Sequence, residues 1–145
     1  MEYFRLPLRL DELIHRKDLA RCSHINQSIE QFVHILLSTE KGEYFVDPIF
    51  GSGLWNHDFE NIESVNKWKE QTRKELTELI EKYEPRLMNV AVEAQISEGT
   101  PSKGRKDKTK QIKRLVVVRV SGRITVNNES FQQEIRMFVG PFSLD

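Results

Sequence analysis

The residues best placed to do chemistry are Tyr83-Glu84-Pro85-Arg86, where a helical pattern runs into a proline and presents a glutamate and an arginine at its C-terminal edge. A guanidinium is a planar, permanently charged fork of donors, suited to bidentate contact with carboxylates or backbone carbonyls. Two readings stay open: an internal salt bridge locking a helix-to-strand corner, or a contact point for a partner. Other arrangements ask less of the sequence. Glu43, Asp47, Asp58 and Glu60 gather in one stretch, and glycoside hydrolysis needs two carboxylates at a suitable separation, a requirement that any acidic loop meets. Solvated surface carboxylates are the plainer reading. Gly51-Ser52-Gly53 has part of a nucleophile elbow but lacks the preceding strand and following helix, so it reads as a turn. Cys22, His24, His15 and His34 are the nearby zinc candidates; Cys22 and His24 are separated by one residue, which is not a structural zinc spacing, and a second ligand pair is missing. The expectation is no catalytic set, no metal and no cofactor.

The elements that must position these residues follow from periodicity. Ile25, Ile29, Phe32, Val33, Leu36 and Leu37 recur three and four apart, which predicts a helix that Gly42 stops. Tyr44-Phe45-Val46 before Pro48 predicts a short extended piece. Phe50 to Trp55 is a glycine-punctuated turn. A second helix is predicted from about Asn61 to Tyr83, with Val65, Trp68, Thr72, Leu76, Leu79, Ile80 and Tyr83 as its stripe. Glu70 with Lys74 and Glu78 with Lys82 stand four apart in the favourable order. Past Arg86 the period becomes twofold: Met88, Val90, Val92, Ala94 and Ile96 predict a strand with one buried face. Arg114 to Val126 and Phe131 to Val139 predict two more, joined by a hairpin turn at Asn127-Asn128-Glu129-Ser130. The fold class is therefore α+β, two main helices packed on one face of a small antiparallel β-meander. Residues 1–23 form an N-terminal arm, with one or two helical turns from Asp11, and residues 97–113 a polar loop rich in lysine and arginine.

The bulk properties narrow the function. The chain has 145 residues, enough for one modest core and one domain, 1–145. Lysine plus arginine and aspartate plus glutamate both total 22, so nothing in the charge balance demands a nucleic acid or an anionic membrane. The basic loop contains no aromatic residue for stacking on single strands; docking on an acidic protein surface, or plain solvation, suits it better. Mean hydropathy is −0.54, and no run approaches the roughly 18 apolar residues that span a bilayer. The opening residues interleave charges with apolar side chains, unlike a secretory signal. Cys22 is the single cysteine, which suits a reducing compartment, so the cytoplasm is the expected address.

Ser28-Ile29, Ile35-Leu36, Thr39, Gly42-Glu43, Pro48, Phe50-Gly51-Ser52, Leu54, Phe59 and Glu84-Pro85-Arg86, in this order and spacing, resemble the baseplate wedge family of contractile phage tails, whose type VI secretion member is the TssE subunit. The motif covers roughly Ile25 to Arg86, and the rest agrees in pattern. The resemblance implies a structural subunit, not an enzyme, of a baseplate at the bacterial inner membrane. Its partners would be other wedge subunits and sheath proteins, with membrane contact only through the assembled machine. It also implies that Glu84, Pro85 and Arg86 make assembly contacts. Apolar residues of the N-terminal arm would then dock on another subunit. The lysozyme label that some members carry is not taken over, because the carboxylate pattern is weak.

Overall fold

The computed structural model describes residues 3–16, 21–22, 24–56, 65–98 and 114–139. In it the chain passes through a short helix α1 (Leu10–Arg16), helix α2 (Ile25–Ser38), a single 3₁₀ turn (Gly53–Asn56), helix α3 (Val65–Tyr83) and strands β1 (Leu87–Glu98), β2 (Arg114–Ile124) and β3 (Ser130–Val139). The strands form an antiparallel sheet in the order β1-β2-β3, and both long helices cover one face of it. The architecture is the predicted α+β arrangement.

The core forms where the two periodicities meet. Ile29, Val33, Leu36 and Leu37 of α2 and Trp68, Thr72, Leu76 and Ile80 of α3 turn inward. Beneath them lie Val92, Ala94, Val116, Val118, Val120, Ile124, Phe131, Ile135 and Met137 of the sheet. Burying each large aliphatic side chain contributes about 1.5–3 kcal/mol. Gln133 adds a polar tie, its Nε2 donating to the Glu30 carbonyl at 2.9 Å and so fixing α2 to β3.

Several boundaries differ from those the sequence predicts. Helix α2 ends at Ser38, ahead of Gly42, where Thr39 turns to extended backbone (φ −82°, ψ 130°) while its N–H and hydroxyl both donate to the Ile35 carbonyl, at 3.0 and 2.7 Å. Residues 44–46 are not extended. Residues 45–46 lie in a turn, and Asp47 holds the turn that follows, its Oδ1 accepting from the Ile49 N–H at 3.2 Å and its carbonyl from the Phe50 N–H at 3.1 Å. Val65 opens α3 but stands half-exposed, outside the buried stripe it was expected to join. The proposed start of that helix at 61–64 lies outside the described residues. Glu70 pairs with Arg73 at 2.8 Å, three residues on, where a bond to Lys74 was expected.

In β1 the predicted phase slips by one residue. Leu87 lies opposite Ile124 and Met88 opposite Arg123, but the next pair is Ala91 with Ser121, so Asn89 and Val90 together face Gly122. Asn89 takes φ 53°, and Leu87, not Met88, reaches the core. This is a β-bulge, which re-aims every side chain before it. Strand β2 stops at Ile124, leaving Val126 exposed in the turn. Asn128 supplies the positive φ of 59° that the hairpin requires, and Ile124 accepts from its N–H at 2.9 Å. Ser97 belongs to β1, pairing with Leu115; residues 99–113 lie outside the described residues.

Candidate functional site: the Glu84–Arg86 corner

Helix α3 ends at Tyr83 because Pro85 can neither donate to a helical carbonyl nor let its predecessor stay helical. The Glu84 N–H closes the last turn on the Ile80 carbonyl at 2.8 Å. Two residues later the chain has reversed, with the Leu87 N–H on the Glu84 carbonyl at 3.2 Å and the Thr125 N–H on the Arg86 carbonyl at 2.9 Å. Backbone bonds thus clamp the corner from the helix side and from the neighbouring hairpin.

The clamp turns Glu84 inward until it is 1% exposed. A carboxylate so far from water needs partners, and Arg86 supplies them. Its Nε donates to Oε1 and its Nη2 to Oε2, both at 2.7 Å, which is the bidentate fork geometry. The Arg86 N–H adds a bond to Oε1 at 3.2 Å. The remaining arm of the guanidinium, Nη1, donates to Ser28 Oγ of α2 at 2.9 Å. Arg86 Cζ also lies over the ring of Tyr3, 5.0 Å from its centroid, and the Tyr3 side chain hydrogen-bonds the guanidinium. The Glu84 hydrogen bonds hold the guanidinium above its ordinary value, against the opposing effect of burial.

Of the three predicted assembly residues, Glu84 is therefore enclosed, while Pro85 is exposed and Arg86 keeps about a quarter of its side chain, 24%, accessible. The structure adds Ser28 and Tyr3 to the group. Ser28 is 58 residues from Arg86, and no local pattern links the two; only the packing of α2 beside α3 does.

The other constellations are committed elsewhere. Glu43 Oε2 accepts from the Glu40 N–H at 2.9 Å, and Asp47 Oδ2 accepts from the Tyr83 hydroxyl at 2.7 Å. Partial burial, with help from that Asp47 bond and charge, pushes the Tyr83 phenol above its ordinary value. A surface groove of about 520 Å³ between α3 and the glycine turn is lined by Lys41, Ile49, Glu75, Leu79 and Tyr83, and by neither Glu43 nor Asp47. Asp58 and Glu60 lie outside the described residues. Ser52 is buried with its hydroxyl donating to the Leu37 carbonyl at 2.7 Å, so it pins a turn and faces no cleft. Among the described residues no group of three or more His, Cys, Asp or Glu side chains could hold a metal ion, and no helix is long and apolar enough to cross a membrane.

Two solved structures are similar to this fold. One is a Geobacter sulfurreducens protein provisionally named a tail lysozyme, with a TM-score of 0.59 and 18% identity over 84% of this chain and 97% of that one. The other is a chain of the baseplate complex from the type VI secretion system, with a TM-score of 0.55 and 18% identity over 77% of this chain and 91% of that one. At this identity the likeness is one of fold. Curated proteins offer no match. The sequence pattern of one family, described as baseplate wedge protein gp25, matches residues 23–129 and spans both long helices, the Glu84–Arg86 corner and strands β1 and β2, ending in the turn before β3; the chain belongs to that family.

Proposed function

We propose that this protein is a structural baseplate subunit of a type VI secretion-like contractile injection system, which helps assemble the wedge and initiate sheath polymerisation. Family membership carries the baseplate role; the fold shared with a type VI secretion baseplate chain favours that machine. The subunit works by rigid presentation. Backbone clamps and the Glu84 fork hold Pro85 and the outer edge of Arg86 in one orientation. Wedge and sheath subunits would read that corner, in a baseplate on the cytoplasmic side of the inner membrane. No nucleic acid and no cofactor enter this mechanism.

The same subunit in a phage tail or another contractile device is the nearest alternative, and sheath or spike genes beside its own would distinguish the two. A peptidoglycan hydrolase is disfavoured by the hydrogen bonds that occupy Glu43 and Asp47. Neutralising either residue should leave assembly unchanged.

The test is a tagged pull-down from the native cell, with mass spectrometry of what comes down. Arg86→Ala alone is a poor probe, because it strands the buried Glu84 charge. A double variant, Glu84→Met with Arg86→Met, removes both charges together and keeps the volume, a change that folded proteins tolerate. Recovery of wedge and sheath proteins by wild type and not by a folded double variant supports the proposal. Absence of such partners from both samples overturns it.

A further inference from the structure

We infer that Val126, in the turn between β2 and β3, extends the Glu84–Arg86 corner into one contact surface. The partner segment that reads this surface is uncharged: it lays an apolar side chain against Pro85 and Val126 and brings one backbone carbonyl to Arg86. The inference rests on the assembly role proposed for the corner.

The hydrogen bonds that Arg86 already makes limit what a partner can add. A guanidinium carries five N–H bonds. Nε and Nη2 each commit one to Glu84, Nη1 commits one to Ser28, and the Tyr3 side chain takes another. A single N–H is left, enough for one oxygen and too few for the two-pronged grip by which arginine holds a carboxylate. Charge points the same way. The Glu84 carboxylate, 2.7 Å from Nη2, already neutralises the guanidinium. A second carboxylate would leave water for a site of no net charge, whereas a carbonyl needs only the one donor.

The surface beside that donor is apolar. Pro85 is exposed and has no N–H to offer. The Thr125 N–H, 2.9 Å from the Arg86 carbonyl, ties the turn to the corner, and Val126 is the next residue of that turn. Val126 is 76% exposed, so the core does not use it. The turn does not use it either. Asn128 supplies the positive φ, and Asn127 Oδ1 accepts from the Glu129 N–H at 3.1 Å, the roles that asparagine fills in hairpins. A valine that serves neither core nor turn, set beside a neutral corner, matches the centre of a protein interface, where charged residues are depleted.

The test is the tagged pull-down of wild type beside Val126→Ile, Val126→Ser, Val126→Asp and Val126→Lys, with urea denaturation of each purified chain. Because Val126 is largely in water, all four variants should keep the wild-type midpoint. Val126→Ile retains the apolar contact and should recover wedge and sheath proteins as wild type does. Val126→Ser should lower recovery at least about tenfold, the loss of one covered valine side chain. Val126→Asp and Val126→Lys should lower it at least as far, since either charge would be buried without a partner. Undiminished recovery by Val126→Ser overturns the inference and leaves the scaffold role standing. So does recovery kept by one charged variant and lost by the other, which would mean a charged partner surface. Absence of wedge and sheath proteins from the wild-type sample overturns the proposed function, and this inference with it.

Discussion

Arg86 holds a buried charge in place before it meets any partner. Glu84 is 1% exposed, and removing the guanidinium that binds both its oxygens leaves an uncompensated carboxylate. Arg86→Ala should therefore cost about 3 kcal/mol, the low end for a broken buried pair, since Arg86 itself is partly in water. Urea denaturation checks this, and the Glu84→Met, Arg86→Met double variant should recover most of the loss. The three-residue sequence left an internal bridge and a partner contact equally open. The structure supplies the bridge and leaves Pro85 and an edge of Arg86 accessible, so the two roles are compatible. Gly51 sets a second constraint at this scale. Its φ is +114°, and a Cβ there would lie 2.7 Å from the Thr39 carbonyl oxygen. Gly51→Ala should destabilise by about 1–3 kcal/mol, read as a lower denaturation midpoint with unchanged slope.

Elements differ in how pH reaches them. On the outer face of the sheet, Glu134 accepts from Arg136 at 2.9 Å and Arg119 at 3.0 Å, and these bonds, Arg136 first, hold its carboxyl below the ordinary 4.5. A depressed carboxyl contributes stability that is intact above pH 4.5 and is lost as pH falls through its folded value. The thermal midpoint of Glu134→Gln should consequently fall less between pH 7 and pH 3 than that of wild type. Tyr83, at the end of α3, behaves in the opposite sense. Its phenol is raised above the ordinary 10.0, so the stability it contributes is intact below pH 10 and disappears as pH rises through the folded value. Tyr83→Phe should flatten the alkaline limb of the stability profile, and loss of its bond to Asp47 should speed exchange at the Phe50 amide. An unchanged alkaline limb would show that Tyr83 does not titrate with folding.

At the scale of the molecule, one core joins both helices to all three strands, so unfolding should be a single cooperative event. Tryptophan fluorescence, to which Trp55 and the buried Trp68 both contribute, and far-ultraviolet circular dichroism should trace coincident urea transitions. Separate transitions would mean that the sheet and the helical layer are independent units. The sequence by itself determined the two helical stripes, the alternation of the three strands, the asparagine hairpin and the order of residues that marks the wedge family. The stripes, strands and hairpin depend on the 3.6-residue or twofold repeat of the backbone, or on a residue's own conformational preference, and are written in neighbouring positions, while the family order is read along the chain from about Ile25 to Arg86. Tertiary structure alone decided the inward turn of Glu84, the reach of Arg86 to Ser28, the seat of Tyr3 on the guanidinium and the one-residue slip that puts Leu87 in the core. These join residues distant in sequence, or follow from a bulge set against Gly122, and local periodicity carries no record of which distant segment will be packed alongside.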